Sequence, residues 1–248
     1  MDVSVTGAKI LFTIPVLGGI KISETLVNTW LVMLVLTGLC IWLTRDLKVR
    51  NISKKQAVAE KIVMMAENLV HENMGEKWMH YVPFISAIFG LSIFSSLSSL
   101  LGLWAPTGDI STTMAWAIVV FVQITYFKLK TNGFGGYMKG FCDPIFLMAP
   151  FNMLGEIFTP ISMAFRHFGN IVSGGVITTL VYGALTVANQ ALFGWLPGAL
   201  GQVLGSIPIL QVGIPAIFSI YFDLFSSCLQ AFIFCMLTMM YIGSAAEG

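Results

Sequence analysis

Long runs of apolar residues separated by short polar stretches make up most of this chain. A run of around twenty sparsely charged residues has the length of a membrane-spanning helix. Five such runs predict spans at about residues 26–44, 81–104, 110–127, 146–187 and 214–241. The strands of a membrane barrel would instead alternate polar and apolar residues in units of about ten, and the runs lack that alternation. The pattern therefore predicts an all-α integral membrane protein that forms one polytopic domain over residues 1–248.

Residues 53–73 are too charged to span a bilayer, yet they have helical periodicity. Their apolar positions fall on one face, at Val58, Ile62, Met65 and Leu69. Ser53 and Gln56 have the spacing of a capping box at the start of a helix. We expect an amphipathic helix that lies at the inner membrane interface.

The apolar run that begins at Pro144 and ends near Val187 is longer than a perpendicular crossing needs. Two alternatives explain its length. The helix is broken at Pro150 and Pro160, or it is strongly tilted. We expect the last two spans to be long, tilted helices.

Basic residues cluster in two stretches, 45–61 and 128–139, which follow the first and the third span. Lys and Arg are enriched in cytoplasmic loops, so both stretches are predicted to be cytoplasmic. The second is also rich in glycine and is predicted to be a loop. Residues 189–213 hold no Lys or Arg, as expected of an outside loop or a re-entrant hairpin. The result is five crossings, with the N-terminus outside and the C-terminus in the cytoplasm.

The composition excludes several classes of protein. Only 10% of the residues are charged, against roughly 25% in soluble domains. The net charge of +1 comes without a dense basic patch outside the loops, which argues against nucleic acid as a partner. Four scattered cysteines indicate neither a disulfide framework nor a metal site, and no cofactor or nucleotide-binding motif is visible. No signal or transit peptide is visible either, which favours the bacterial inner membrane.

Arg166 is the only Lys or Arg after Lys139. A guanidinium inside the membrane keeps its charge, and its cost is put at about 2.5 to more than 10 kcal/mol. A residue that costs so much usually serves an ion, a partner or a substrate. We therefore expect Arg166 to be the centre of the chemistry.

Four further polar residues surround Arg166 in the predicted topology. Asn170 lies one turn further along the same face, and Asp223 and Gln230 are seven apart on one face of the last span. Glu156 lies ten residues before Arg166, roughly 15 Å closer to the inner side. Asp223 lies roughly 10 Å outward of Gln230. One permanent cation between two carboxylates predicts two offset half-channels that pass H⁺ or Na⁺ to a carboxylate on a moving neighbouring subunit.

Two stretches resemble a known family. Residues 160–170 (PISMAFRHFGN) follow a Gly-Glu pair by three residues and resemble the Arg-containing helix of subunit a of F-type ATP synthase. Residues 229–234 (LQAFIF) are similar to the last helix of that family. The resemblance covers nearly the whole chain, and the order of the elements agrees.

The resemblance implies a non-catalytic, ion-translocating stator subunit in the membrane sector of ATP synthase. Its expected partners are the rotating c-ring, the subunit b stalk, the lipid bilayer and the transported H⁺ or Na⁺. Arg166 would face the carboxylate of the c-ring, and Asn170 and Gln230 would line the outer half-channel. The carboxylate that binds the coupling ion would belong to the partner.

Three positions depart from the family pattern. Many relatives carry an ionisable residue nine positions after the arginine, where this chain has Gly175. Asp223 stands where relatives often have a His or an acid, so the outer path would depend on Asp223 alone. His167 replaces the usual Leu.

Simpler interpretations stay open at these residues. Arg166 and Asp223 could form a structural ion pair, and Glu156 could be a hydrated carboxylate near the interface. Gln230 could be an interhelical hydrogen-bond partner and His167 a packing residue. A self-contained secondary transporter or channel, with Arg166 binding an anion, is the alternative function. Five crossings without an inverted repeat argue against it. A purely structural anchor would leave the buried polar residues unexplained.

Overall fold

The computed structural model describes residues 8–15, 20–45, 47–143, 145–193 and 220–247. Six α-helices make up most of this part: α1 (Glu24–Thr44), α2 (Lys54–Met74), α3 (Val82–Leu97), α4 (Ile110–Phe141), α5 (Ala149–Phe193) and α6 (Ser227–Glu247). Short 3₁₀ turns lie at Glu76–Tyr81, Ser98–Leu101, Pro106–Gly108 and Phe146–Met148. A π-helical turn, Ile220–Ser226, leads directly into α6.

Within the described residues, five helical stretches are long and apolar enough to cross a membrane: Glu24–Thr44, Glu76–Leu101, Ile110–Phe141, Phe146–Leu192 and Ile220–Glu247. They confirm the predicted all-α membrane fold. The predicted outside loop at 189–213 is wrong for residues 189–193, because α5 continues to Phe193. The rest of that loop and the first residues of the predicted fifth span lie outside the described residues.

The third spanning helix is longer than the pattern predicted. The predicted loop after residue 127 is wrong, because α4 continues to Phe141 with a break at Gly133. Gly133 has φ +65° and ψ 170°, a conformation that glycine adopts without a steric penalty. The last turn of α4 is held by Asn152 of α5, whose Nδ2 donates to the carbonyl of Phe141 at 2.9 Å. Packing against α5 outweighs the poor helix propensity of the glycines.

Helix α5 is continuous over 45 residues. Pro150 is its second residue, a position whose backbone N–H needs no helical partner. Pro160 lies inside the helix and is buried without ending it. At about 1.5 Å per residue the helix is more than twice as long as the hydrocarbon core is thick, so it must be inclined to stay within a bilayer. The tilted alternative is therefore favoured over a broken helix.

A two-stranded antiparallel hairpin precedes α1, and no strand was predicted there. Its strands are β1 (Ile10–Ile14) and β2 (Ile20–Ser23). The sequence pattern misses the hairpin because a pair of strands depends on contacts between two segments, although isoleucine and threonine favour strands. The N–H of Glu24 donates to the carbonyl of Lys9 at 2.9 Å, which joins the hairpin to the first turn of α1.

Contacts at the two ends of the helix bundle show which elements lie at each end. At one end, Thr25 of α1 donates to a carboxylate oxygen of Asp109, the N-cap of α4, at 2.8 Å. At the other end, Thr131 of α4 donates to the carbonyl of Ala246 of α6 at 3.3 Å. The N-terminal hairpin and the end of α6 therefore lie at opposite ends of the bundle, as an odd number of crossings requires.

The core lies where α3, α4, α5 and α6 meet, and it includes Ile85, Val120, Met163, Phe234 and Met239. Helix α2 packs on this core through Val70 and Leu69. The other three residues of its predicted apolar face, Val58, Ile62 and Met65, are exposed. Ser53 caps α2 as predicted, because its Oγ accepts from the N–H of Gln56 at 3.2 Å. The reciprocal half of the capping box is wrong, since the Gln56 side chain binds the backbone of Lys48. The position of α2 at the membrane interface stays a prediction.

Candidate functional site

Arg166 lies on the exposed side of α5. Met163, Ala164 and His167, which are its neighbours along the helix, are all buried against other helices. The rotation of α5 therefore turns the guanidinium away from the core of this chain.

Small side chains accompany Arg166 along the same face of α5. Positions 11 and 4 residues before it, and 7 after it, share its side of a helix with 3.6 residues per turn. These positions hold Gly155, Ser162 and Ser173, which are all exposed, and Thr159 lies beside them. We call Gly155, Thr159, Ser162, Arg166 and Ser173 the arginine strip. A strip of small residues lets another helix approach closely.

Arg166 has no carboxylate within salt-bridge distance among the described residues. The salt bridge found in this part of the chain joins Lys128 and Glu156. The alternative pairing with Asp223 concerns a side chain outside the described part, although the backbone of Asp223 lies in the π-helical turn. That pairing stays a prediction.

His167 is a packing residue. Its side chain is 1% exposed and lies between Trp116 and Phe234, with ring centroids 5.9 and 5.8 Å away. Its Nε2 is 3.1 Å from the Oγ of Ser92 on α3. These contacts fix the rotation of α5 and so hold the adjacent Arg166 outward.

Asn170 joins α5 to the π-helical turn. Its Nδ2 donates to the Oγ of Ser226 at 2.8 Å, and the same hydroxyl donates to its Oδ1 at 3.0 Å. A Cβ added to Gly174, one turn further on, would lie 3.2 Å from the Cβ of Phe222. The last two spans therefore meet in a seam, where Asn170 and the turn that carries Asp223 are in direct contact. An ion path along this seam stays a prediction.

Gln230 is 6% exposed and lies in the first turn of α6, four residues after Ser226. Of the predicted outer residues, the seam brings together Asn170 and the turn that contains the backbone of Asp223.

Glu156 lies at the other end of the bundle from this seam. Its Oε1 is 3.2 Å from the Nζ of Lys128 and accepts a hydrogen bond from the hydroxyl of Tyr137 at 3.0 Å. The three residues line a cavity of about 500 Å³ between α4, α5 and α6. Its further polar lining comes from Asn132, Asn152, Thr159 and Ser244. The sequence does not predict Lys128 and Tyr137 as site residues, because it predicts that the third span ends before them and continues as a basic, glycine-rich loop.

Comparison with known proteins shows the family of this chain. The family model of the ATP synthase A chain matches residues 26–243. This chain belongs to the ATP synthase A chain family.

Curated members of the family match over most of their length. Subunit a 1 of ATP synthase from Chlorobaculum parvum is 34% identical over 93% of this chain and 91% of its own length. Subunit a from Albidiferax ferrireducens is 32% identical over 93% and 90%. A sodium ion specific subunit a from Propionigenium modestum is 30% identical over 96% and 84%. Membership confirms the resemblance of the two stretches, makes the chain a multi-pass membrane protein and supports an ion-translocating role in the membrane sector of ATP synthase.

The hydrogen bonds between Asn170 and Ser226, which we call the clamp, should contribute measurably to the stability of this member of the ATP synthase A chain family. Asn170→Leu removes the three hydrogen bonds that join the Asn170 side chain to Ser226. We expect it to lower the free energy of unfolding by about 1–3 kcal/mol. Thermal unfolding of the purified protein in detergent measures the effect. Ser173→Ala is the matched control, because the exposed Ser173 hydroxyl donates only within its own helix. Equal stability of Asn170→Leu and Ser173→Ala would contradict the clamp.

Proposed function

We propose that this chain is the ion-translocating stator subunit of an ATP synthase and that Arg166 faces the carboxylates of a rotating c-ring within the membrane. The observation that carries the proposal is the exposure of Arg166 on a strip of small residues in a long apolar helix. A guanidinium that faced lipid would be very costly, so it needs a counter-charge. No described carboxylate of this chain lies within 4.0 Å of it. A partner subunit with a carboxylate in the membrane supplies that charge and fits against the small residues.

Two half-channels lead to opposite ends of the arginine strip in this proposal. The outer one follows the seam between α5 and the last helix, with Asn170, Asp223 and Gln230. The inner one is the cavity that contains Glu156 and Thr159. Arg166 lies between them, where its permanent charge repels a cation that would pass directly from one to the other.

Rotation follows from this separation. A proton that enters through the outer path neutralises a carboxylate of the c-ring, which then moves through lipid and releases its proton at the inner path. Each charge that crosses gains about 2.3 kcal/mol per 100 mV of membrane potential. Na⁺ could follow the same route, because the carboxylate that selects the ion belongs to the partner.

The proposed setting is the bacterial inner membrane, with the N-terminal hairpin outside and the C-terminus in the cytoplasm. Support comes from the contact of Thr131 with Ala246, which brings the end of α6 to the side of the basic stretch 128–139. Basic residues of this kind mark the cytoplasmic side. The c-ring, the subunit b stalk and the lipid bilayer are the partners, and the whole chain acts as one polytopic domain.

The alternative is a self-contained transporter in which Arg166 binds an anion. Such a site would need the guanidinium to line a cavity between helices of the chain itself. The exposed position of Arg166 on the outer face of α5 favours the rotary proposal.

Cross-linking tests the proposal directly. In a variant with its four native cysteines replaced by alanine, we expect Ser162→Cys and Ser173→Cys to form disulfides with cysteines introduced into the c-ring. Leu34→Cys on α1 is the control, because its side chain is 75% exposed but lies on a different helix. Adducts at Leu34 but not on the arginine strip would refute the proposed interface.

A further inference from the structure

We propose that Lys128 and Tyr137 are positioning residues, which hold Glu156 as an oriented carboxylate at the mouth of the inner half-channel. The inference rests on the proposed function and assigns to this chain two functional residues outside the arginine helix. Both act through Glu156, and neither contacts the c-ring.

The two carboxylate oxygens of Glu156 differ in their hydrogen-bond partners. The ammonium of Lys128 and the hydroxyl of Tyr137 both bind Oε1, at 3.2 and 3.0 Å. Among the described residues no group is hydrogen-bonded to Oε2. This oxygen is therefore available to water and protons in the cavity, while Oε1 fixes the orientation of the side chain.

Charge gives Lys128 its function. The Glu156 side chain is only 11% exposed, and a nearly buried carboxylate without a counter-charge is costly. Lys128 compensates it while the ammonium, at 35% exposure, keeps contact with water. The pair is neutral as a whole, so the inner mouth neither traps nor strongly repels a passing proton.

The break in α4 is what brings both donors to one oxygen. Lys128 and Tyr137 are nine residues apart, and at about 100° per residue an unbroken helix would point them to opposite sides. The non-helical conformation of Gly133 lies between them and redirects the second part of α4. Asn152 then holds this part by donating to the carbonyl of Phe141. The break in the glycine-rich stretch therefore places the second donor, Tyr137, next to Glu156.

The cavity also contacts the arginine strip. Gly155 and Thr159 belong to the strip and line the cavity beside Glu156. Thr159 lies seven residues, or about 10 Å, from Arg166 on the same face. A proton released by a c-ring carboxylate reaches Oε2 through water along this face, binds there and leaves to water in the cavity. Lys128 and Tyr137 keep their own protons throughout.

The test is ATP-driven proton pumping by assembled synthase in inverted membranes. We expect Lys128→Met to lower the rate about tenfold, as the loss of a charge-assisted hydrogen bond implies, and Lys128→Arg to keep most of the rate. Tyr137→Phe should lower it less, because the counter-charge remains. The matched controls on the same helix are Lys130→Met and Tyr126→Phe, since Lys130 lies over the ring of Tyr126 and away from Glu156.

A double-mutant cycle shows whether Lys128 acts through Glu156. In a Glu156→Gln background, Lys128→Met should cause no further loss. A parental rate for Lys128→Met, an equal loss for Lys128→Arg, or an undiminished effect in the Glu156→Gln background would overturn the inference. If Glu156→Gln alone abolishes pumping, the contrast between Lys128→Arg and Lys128→Met decides.

The cross-link at Ser162 separates this inference from the proposed function. A Lys128→Met variant that still cross-links to the c-ring but pumps at the parental rate refutes only the positioning function. Loss of the cross-link in the otherwise unchanged protein would refute the rotary interface itself.

Discussion

Arg166→Ala is expected to abolish ATP-driven ion pumping by the assembled synthase. Without the guanidinium, the carboxylate of the c-ring has no counter-charge when it passes between the half-channels, and no charge blocks direct leakage. Pumping in inverted membranes measures the first effect, and passive proton flux measures the second. Arg166→Lys should also lose most of the activity, because an ammonium lacks the planar, delocalised charge of a guanidinium and can lose its proton.

Arg45→Ala is the control for this experiment, since Arg45 is exposed at the end of α1, far from the arginine strip. We expect it to pump at the parental rate. Parental pumping by Arg166→Ala, with the subunit present at its normal level, would contradict the transfer function. It would favour a structural function for Arg166, such as the pairing with Asp223.

Gly174→Val is expected to separate α5 from the π-helical turn and to destabilise the protein by about 1–3 kcal/mol, a cost typical of overpacking. Even the first added carbon would lie 3.2 Å from the Cβ of Phe222. The position of that Cβ is fixed by the backbone, so it cannot rotate away. The seam of the proposed outer path would open, so pumping should fall together with stability. Thermal unfolding in detergent and the pumping rate are the two measurements.

The neighbouring glycine provides the matched control. Gly175 has no atom within 4 Å of an added Cβ, so Gly175→Val should leave stability and pumping nearly unchanged. A similar loss in both variants would show that valine disturbs the helix itself rather than the seam. The open surroundings of Gly175 leave room for a larger side chain.

Much of the fold could be predicted from the sequence, because few kinds of structure can span a bilayer. Apolar runs of sufficient length must be helices, and each of the five predicted runs overlaps a long apolar helix in the described part of the chain. The cap at Ser53 is equally local, since it depends on a hydroxyl three residues before a backbone N–H. Arg166 stood out for the same reason, as a charge in a segment that otherwise excludes charges.

The contacts between helices could not be predicted in this way. Periodicity places His167 next to Arg166 but does not say that one faces the core and the other faces away. The hydrogen bonds of Asn170 with Ser226 join residues 56 positions apart in the sequence. The hairpin before α1 was missed because its pairing, too, is a contact between two segments rather than a property of either.

The sequence by itself determined the class of protein, its five apolar helices and the residue around which the chemistry is arranged. These follow from the free energy of transferring each residue from water to hydrocarbon, which is a property of the residue itself. Only the tertiary structure decided that Arg166 is exposed, that α4 breaks at Gly133, and that Lys128 and Tyr137 meet on one oxygen of Glu156. Those facts depend on the rotation of each helix against its neighbours, which is set by the packing of many side chains at once.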